Sequence, residues 1–247
     1  MTSKSSVRFL NHSCISVSSG TTTILCDPWF TGSAFDNGWR LLHEDSHDLS
    51  KVEYDWLWLS HEHPDHFSIP TLKQINRPTR FIYQATADRK VKAYLSKQQH
   101  EVTEIEDFET KRVGDIDCQL FMCDGYDSAM LFRLPGGETV LNLNDCRVEL
   151  GDLTERIAAT VGSIDLLALQ FSYANWAGNR GDSAIPAYQH EQVIKRLESV
   201  IDLLKPKAVL LFASYVFFSH EENFFWNDHF WLSKVMARLG NRRHACL

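Results

Sequence analysis

The sequence lacks any long hydrophobic run and any closely paired cysteines. No apolar stretch approaches the roughly 18 residues that a membrane-spanning helix needs, and the N-terminus lacks the apolar segment of a signal peptide. None of the six cysteines forms a C-x-x-C pair, which argues against a structural zinc knuckle. These absences predict a cytoplasmic protein with reduced thiols and no membrane partner.

Basic patches and flexible linkers are also missing. The net charge is −7 and no cluster of Lys and Arg stands out, which argues against nucleic acid as a partner. The 247 residues are 44% hydrophobic and 23% charged, so the chain can bury a substantial core. Because no stretch rich in Gly, Pro or Ser divides it, we expect a single domain over residues 1–247.

Short β-branched and apolar runs alternate with amphipathic segments along the chain. The runs Thr22–Cys26, Arg80–Tyr83 and Ala208–Phe212 are typical of buried strands. Helices are predicted at Ile69–Ile75, Asp88–Lys97, Leu153–Val161, Ala187–Leu204 and Asp228–Leu239. Strands followed by helices, twice over, predict an α/β or α+β fold.

The most informative segment is HEHPDH, which follows the apolar run Trp56–Leu59. Pro64 prevents a continuing helix, so the three imidazoles are expected on a loop at the end of a buried strand, where side chains can converge. Imidazole is a common ligand of zinc, iron and copper, and a carboxylate adds a hard oxygen donor. The segment therefore predicts a metal site; the alternative is a polar surface loop that contains histidines by chance.

The H-x-H-x-D-H pattern resembles the signature of the metallo-β-lactamase superfamily. The resemblance implies a four-layer αββα sandwich with two metal ions. It assigns His61 and His63 to one metal ion, and Asp65 and His66 to the other.

Three further ligand positions follow from the same resemblance. Asp145 ends a predicted strand, where a carboxylate can bridge two cations or simply form a turn, and His220 follows the last predicted strand. The superfamily's third His falls where this chain has only Asp124 and Asp127. By its spacing from Ser128, Asp124 fits the position of the imidazole best and Asp127 is the alternative; otherwise both are ordinary loop residues. Added carboxylates make the site harder and more anionic, which favours iron or manganese over zinc.

Several other side chains have two interpretations each. Asp27, which precedes Pro28, can accept a hydrogen bond from the free ring nitrogen of a ligand His, or can start a turn. His12 is expected either beside the site or in the core. Candidate pocket walls, or ordinary core aromatics, are Trp29, Phe30, Trp39, Tyr173 and Trp176. Cations that face either an anion or solvent are Arg180, Lys195 and Arg196.

Further segments narrow the resemblance. Together with HEHPDH, the segments DPWF, DSA, NDC, QFS and FSHEEN resemble the catalytic part of the CMP-N-acetylneuraminic acid hydroxylase family over most of the chain. This resemblance implies oxygen chemistry at a non-haem iron centre. The hydroxylase family also carries a Rieske domain, and this chain lacks the C-x-H and C-x-x-H pairs that would hold its iron–sulfur cluster. Electrons are therefore expected from an external ferredoxin or reductase, or from the substrate.

Three hypotheses of function result. The first is a di-iron oxygenase or oxidase that acts on a small-molecule substrate. The second is a binuclear zinc or manganese hydrolase of a phosphodiester, lactone or amide, against which the absent third His counts. The third is a binding or scaffold protein with a vestigial site, against which the number of ligand-type residues counts. The substrate itself cannot be read from the sequence.

Overall fold

The computed structural model describes residues 4–43, 48–123, 126–172, 179, 181, 184–229, 232–239 and 245–246. In chain order, the strands are β1 (Ser6–Asn11), β2 (Cys14–Ser18), β3 (Thr23–Cys26), β4 (Trp39–Leu41), β5 (Trp56–Trp58), β6 (Arg80–Gln84), β7 (Glu101–Ile105), β8 (Thr110–Val113), β9 (Ile116–Cys123), β10 (Asp127–Arg133), β11 (Thr139–Asn142), β12 (Leu166–Gln170), β13 (Ala208–Phe212), β14 (Val216–Phe218) and β15 (Ala245–Cys246). The α-helices are α1 (Ile69–Leu72), α2 (Lys90–Lys97), α3 (Leu153–Val161), α4 (Ala184–Leu204) and α5 (Leu232–Leu239).

Two mixed sheets form the centre of the molecule. The first has the order β1-β2-β3-β5-β6-β7, and its last four strands are parallel. The second has the order β15-β13-β12-β11-β10-β9-β8, with parallel pairing from β11 to β15. A two-stranded ribbon, β14-β4, accompanies them. Because the carboxyl ends of parallel strands meet at one edge of a sheet, the segments that follow β3, β5 and β6 come close together.

The sheets pack face to face, and helices cover their outer faces. Trp58 and Ile82 of the first sheet share one buried cluster with Phe132 and Phe212 of the second. The opposite face of the first sheet packs against α1 and α2, and that of the second sheet packs against α3, α4 and α5. The layers are therefore αββα, which confirms the predicted four-layer α/β architecture.

Some strongly periodic segments have the bounds that the sequence predicts, whereas the bounds of other elements differ from prediction. The bounds of α3 and β13 agree with prediction residue for residue. Of the predicted helix Asp228–Leu239, Asp228 and His229 belong to a 3-10 helix over Phe224–His229, and Leu232–Leu239 form α5. The short strands β4 and β14 were not predicted, since each has only three residues and depends on pairing with the other.

The described cysteine side chains form no disulfide, and the described helices do not have the character of membrane spans. Cys14, Cys26, Cys118, Cys123 and Cys146 are free and buried. Within the described part of the chain, no helix combines the length and apolarity that crossing a bilayer requires.

Candidate metal centre

The HEHPDH segment forms a tight loop between β5 and α1. The backbone N–H groups of His66 and Phe67 both donate to the carbonyl of His63, at 2.9 and 2.7 Å. Ser68 then caps α1 by accepting a hydrogen bond from the Thr71 N–H. This turn reverses the chain around Pro64, so that ligand-type side chains from both sides of the proline face one centre.

Three groups of ligand-type side chains converge in the described part of the chain, and within each group the donor atoms lie within 4.8 Å of one another. We call His12, Asp65 and His66 the buried group, because all three side chains are inaccessible to solvent. We call His61, His63 and Asp127 the open group, because His63 is exposed and Asp127 is partly exposed. The third group, which joins the other two, is His61, His66 and Asp145.

In the open group, the side chains of His63 and Asp127 lie close to Nε2 of His61. Its Nε2 lies 2.8 Å from Nδ1 of His63 and 3.8 Å from Oδ1 of Asp127. Asp145 Oδ2 is 3.8 Å from the same nitrogen and 3.6 Å from Nε2 of His66. Asp145 thus stands between the two imidazoles, as expected for a carboxylate that bridges two cations.

The buried group extends the centre toward the turn between β1 and β2. Asp65 Oδ2 lies 3.5 Å from Nε2 of His66 and 3.3 Å from Nε2 of His12. His12 has a positive φ of 40° and packs edge-on against Trp29, with ring centroids 5.4 Å apart. Of the two locations that the sequence left open for His12, the structure shows the one beside the site.

Asp27 orients the second imidazole. Its Oδ2 accepts hydrogen bonds from Nδ1 of His66 at 2.9 Å and from Oγ of Ser60 at 2.6 Å, and its Oδ1 accepts the Ser60 backbone N–H at 2.8 Å. Asp27 is fully buried. A carboxylate on one ring nitrogen directs the other nitrogen of His66 toward the centre, which is the usual arrangement around a metal-binding His.

Ser60 joins the loop to both sheets, and sequence reasoning missed it. Its carbonyl accepts hydrogen bonds from Oγ of Ser128 at 2.6 Å and from Nε2 of Gln84 at 3.3 Å. Its hydroxyl lies 3.0 Å from Nδ1 of His61. Ser128 follows Asp127 in β10, so this network sets the separation between the loop and the open-group carboxylate. The available signal was a polar residue at the end of a buried strand, next to the motif.

The two central imidazoles have opposite pKa shifts. Burial lowers the pKa of His61 to about 4, and the neighbouring His66 adds to the effect. Burial also acts to lower the pKa of His66, but the carboxylates of Asp145, Asp65 and Asp27 outweigh it and raise the pKa to about 10. At neutral pH without metal, the His61 imidazole is therefore neutral, with a lone pair on one ring nitrogen, and the His66 imidazole is positively charged, with a proton on each.

Unsatisfied buried atoms test whether the centre suits metal ions. His66 Nε2, Asp65 Oδ1, Asp145 Oδ1 and His12 Nδ1 are buried and make no hydrogen bond within the described structure. Buried polar atoms are normally paired, and imidazole nitrogens and carboxylate oxygens are the usual ligands of transition metals. Convergent donors that lack partners fit a metal-binding site.

Several other predicted residues belong to none of these groups or lie outside the described residues. His220 is exposed, and its Nδ1 accepts the Glu222 N–H at 3.4 Å; it belongs to none of the three described groups. Trp39 packs with Trp29 and Phe218 in a small hydrophobic cluster. The predicted residues that fall outside the described ones are Asp124, Tyr173, Trp176 and Arg180.

A family model described as the β-lactamase superfamily domain matches residues 6–165, more than half of the chain. The chain belongs to the β-lactamase superfamily. Its layers are those of the metallo-β-lactamase fold, as the resemblance of the HEHPDH segment implied.

Among curated members of this superfamily, the cytidine monophosphate-N-acetylneuraminic acid hydroxylase of Cricetulus griseus is 30% identical over 230 residues, which are 87% of this chain and 40% of the hydroxylase. The chain thus spans less than half the length of that relative. The solved structure of CmlA, a diiron β-hydroxylase from Streptomyces venezuelae, has a TM-score of 0.70 at 17% identity and covers 100% of this chain and 53% of its own.

A second solved structure is similar along its whole length. A possible metal-dependent hydrolase from Veillonella parvula has a TM-score of 0.68 at 14% identity, covering 98% of this chain and 94% of its own. At such identities, these structures establish the fold alone. Metallo-β-lactamase-fold relatives therefore include hydroxylases and hydrolases.

Proposed function

We propose that the protein is a binuclear non-haem iron enzyme that activates dioxygen to hydroxylate or oxidise a small molecule. His61, His63 and Asp127 would hold one iron, while Asp65 and His66 would hold the other. Asp145 would lie between the two. Bound iron would supply the redox chemistry that no side chain of this protein can perform.

The observation that carries the proposal is the third member of the open group. Asp127 stands beside His61 and His63, and the sequence resemblance puts either Asp127 or Asp124 where hydrolases of the superfamily keep an imidazole. The three groups together then hold three carboxylates, Asp65, Asp127 and Asp145, beside four imidazoles. Carboxylate oxygens are harder donors than imidazole, and additional negative charge favours higher metal oxidation states. This donor set suits iron that cycles with oxygen better than redox-silent zinc.

The surrounding residues would preserve this arrangement through a reaction cycle. Asp27 holds the Nδ1 proton of His66, so that Nε2 stays directed at the centre. Trp29, which is almost completely buried, packs against His12 and closes the core side. The open group remains accessible to solvent, so substrate and oxygen would approach from that side.

Relatives named as hydroxylases add support, and their greater length bears on the electron source. The chain matches about 40% of the Cricetulus griseus hydroxylase. It contains no residues that would hold a Rieske cluster. We propose that an external ferredoxin or reductase supplies the electrons when the substrate cannot.

The test is to express the protein in iron-supplemented medium, then to measure metal content and record Mössbauer spectra before and after reduction and exposure to oxygen. We expect about two irons per chain, in antiferromagnetically coupled pairs that are reoxidised by oxygen. The matched variant is Asp127→His, which restores an imidazole-rich set and should shift the bound metal toward zinc. Iron that does not react with oxygen in the reduced protein would contradict the proposal.

A hydrolase is the second candidate, favoured by the HEHPDH motif and by the similarity to the Veillonella parvula structure. In that case two zinc or manganese ions would lower the pKa of a bound water, which would attack a phosphodiester, lactone or amide. The test is whether zinc-loaded protein turns over a chromogenic phosphodiester or lactone, and whether Asp145→Asn loses this activity. Both results together would favour the hydrolase over the oxygenase.

A further inference from the structure

A cavity of about 590 Å³ adjoins the open group, beside α4. We call it the α4 cavity. Its lining includes three residues of the candidate centre, His63, Asp127 and Asp145. It also includes three cations, Arg147, Lys195 and Arg196. The volume lies within the range of small-molecule sites, about 300–1,000 Å³.

Helix α4 directs two different faces at the protein. Val193, Leu197 and Val200 are buried against the second sheet. Gln189, Gln192, Arg196 and Ser199 line the cavity, at helical spacings of three and four residues. A polar stripe of this kind usually faces open solvent. Here it lies alongside the candidate metal ligands.

Arg196 is fixed in place by the end of β12. Its Nη2 donates to the carbonyl oxygen of Gln170 at 3.2 Å and lies 3.5 Å from the side-chain Oε1 of the same residue. Burial lowers the pKa of its guanidinium, which nevertheless remains charged at neutral pH. In the described part of the chain, no carboxylate lies within ion-pair distance of Arg196. Glu149 and Asp145 favour its charged form from beyond ion-pair distance, and the guanidinium can still pair directly with an oxyanion.

The carboxylates that face the cavity are Glu149, Asp127 and Asp145, and one oxygen each of Glu149 and Asp145 is buried without a hydrogen bond among the described residues. Glu149 accepts a hydrogen bond from Nε of Arg147 at 3.1 Å, and Asp127 and Asp145 belong to the candidate centre. Lys195 makes no hydrogen bond or ion pair with another described residue. Among the described residues, therefore, neither Lys195 nor Arg196 forms a salt bridge with a carboxylate, and Arg196 is held only by Gln170, in a chain whose net charge is −7.

We propose that the α4 cavity binds a small molecule that carries a carboxylate or phosphate group. Arg196 and Lys195 hold the anionic group, and the reacting part of the molecule lies beside Asp127 and Asp145. The guanidinium fork matches both kinds of oxyanion, and the ammonium adds a mobile point charge. This inference rests on the proposed function, since it makes the cavity the substrate site of that enzyme.

The test measures ligand binding rather than turnover. Phenyl phosphate, benzoate and neutral benzyl alcohol are titrated into metal-loaded protein by isothermal calorimetry, and again after metal removal with a chelator. We expect at least one anion to bind more tightly than the alcohol. Arg196→Gln should raise the Kd of that anion about tenfold or more, because a charge-assisted hydrogen bond is lost. Lys195→Gln should raise it about threefold.

Two variants make the result specific. Lys97→Gln, in the outer layer on the other side of the molecule, removes the same charge outside the cavity and should leave the Kd unchanged. Arg196→Lys keeps the charge but loses the fork, so its Kd should fall between those of the wild type and Arg196→Gln; it replaces Arg196→Gln if circular dichroism shows that variant unfolded. The phosphate and carboxylate arms show which oxyanion the site prefers.

The inference is overturned if both anions bind the Arg196 and Lys195 variants as tightly as wild type, or if binding disappears with the metal and ignores these side chains. Metal content and oxygen reactivity of the same samples are measured separately. If anion binding depends on Arg196 but the protein holds redox-silent zinc, the anion site is supported and the oxygenase proposal is rejected. If the protein holds iron that reacts with oxygen but anion binding does not depend on Arg196, the oxygenase proposal is supported and the anion site is rejected.

Discussion

The buried group and the open group differ in how tightly the fold holds them. His12, Asp65 and His66 are at most 3% exposed, and His66 is tied to Asp27 at 2.9 Å. In the open group, His63 is exposed, and the Asp127 side chain is 21% exposed and lies 3.8 Å from His61. All three side chains of the first group are buried, whereas two members of the second, His63 and Asp127, line a cavity.

This difference separates two tasks. A buried ligand must keep its hydrogen bonds, since a polar group without a partner in the core costs about 1–3 kcal/mol. A ligand at a cavity wall can exchange its partners with water, so it can change without cost to the fold. We therefore expect substitutions around the buried group to reduce stability, and substitutions in the open group to change the metal or the substrate.

The largest effect is expected for Asp27→Ala. It removes the acceptor for His66 Nδ1, the Ser60 hydroxyl and the Ser60 N–H, and it places Ala at a φ of +39°. The free energy of unfolding, measured with urea, should fall by about 3 kcal/mol or more, and metal affinity by about 10- to 100-fold. Asp27→Asn keeps the shape and tolerates the positive φ, so it should lose less. If Asp27→Ala and Asp27→Asn lost equal stability and metal affinity, the hydrogen bonds of Asp27 would not be what holds the buried group in place.

Asp145→Asn tests the junction between the groups. Metal content should fall to about one ion per chain or less, because the shared carboxylate is lost. The free energy of unfolding of the metal-free protein should change by less than in Asp27→Ala, since the Asp145 side chain is 16% exposed. Elemental analysis and urea denaturation check the two parts. Full retention of metal would show that Asp145 is no ligand.

The raised pKa of His66 predicts a pH dependence. A group whose pKa rises on folding stabilises the folded state fully below its unfolded pKa, near 6.5, and this contribution is lost as pH rises through about 10. Metal-free protein should therefore become less stable over this window, and His66→Ala should remove the trend. Metal must displace the proton, so zinc affinity measured by chelator competition should rise up to about tenfold per pH unit. A flat profile from pH 7 to 8.5 would contradict this.

The smallest effect is expected for His220→Ala. Its side chain is exposed and lies outside the three described groups. Metal content should therefore be unchanged and the free energy of unfolding should shift by under about 0.5 kcal/mol. A sharp loss of metal would instead support the sequence-based prediction that His220 is a ligand, through a rearrangement of its loop.

Local pattern predicted much of the fold. The bounds of α3 and β13 followed from their periodicity, because apolar spacing at 3.6 or 2 residues reflects burial directly. The ribbon of β4 and β14 could not be predicted, since neither three-residue strand forms without the other. The sites of His12 and Asp27 stayed open between two interpretations, because a short polar segment after a strand suits a turn and a ligand contact equally.

The sequence by itself determined that ligand-type residues follow a buried strand and which superfamily this pattern indicates, and it predicted that a carboxylate stands where the superfamily has a third imidazole. These are properties of neighbouring residues, and chemistry and spacing are sufficient to reveal them. The tertiary structure decided that His12 and Asp127 belong to neighbouring groups of ligand-type side chains and that Ser60 joins the two sheets. It also decided that Arg196 reaches the same cavity as Asp145. Such contacts join segments far apart in the chain, so they depend on strand register and layer packing, which no local pattern contains.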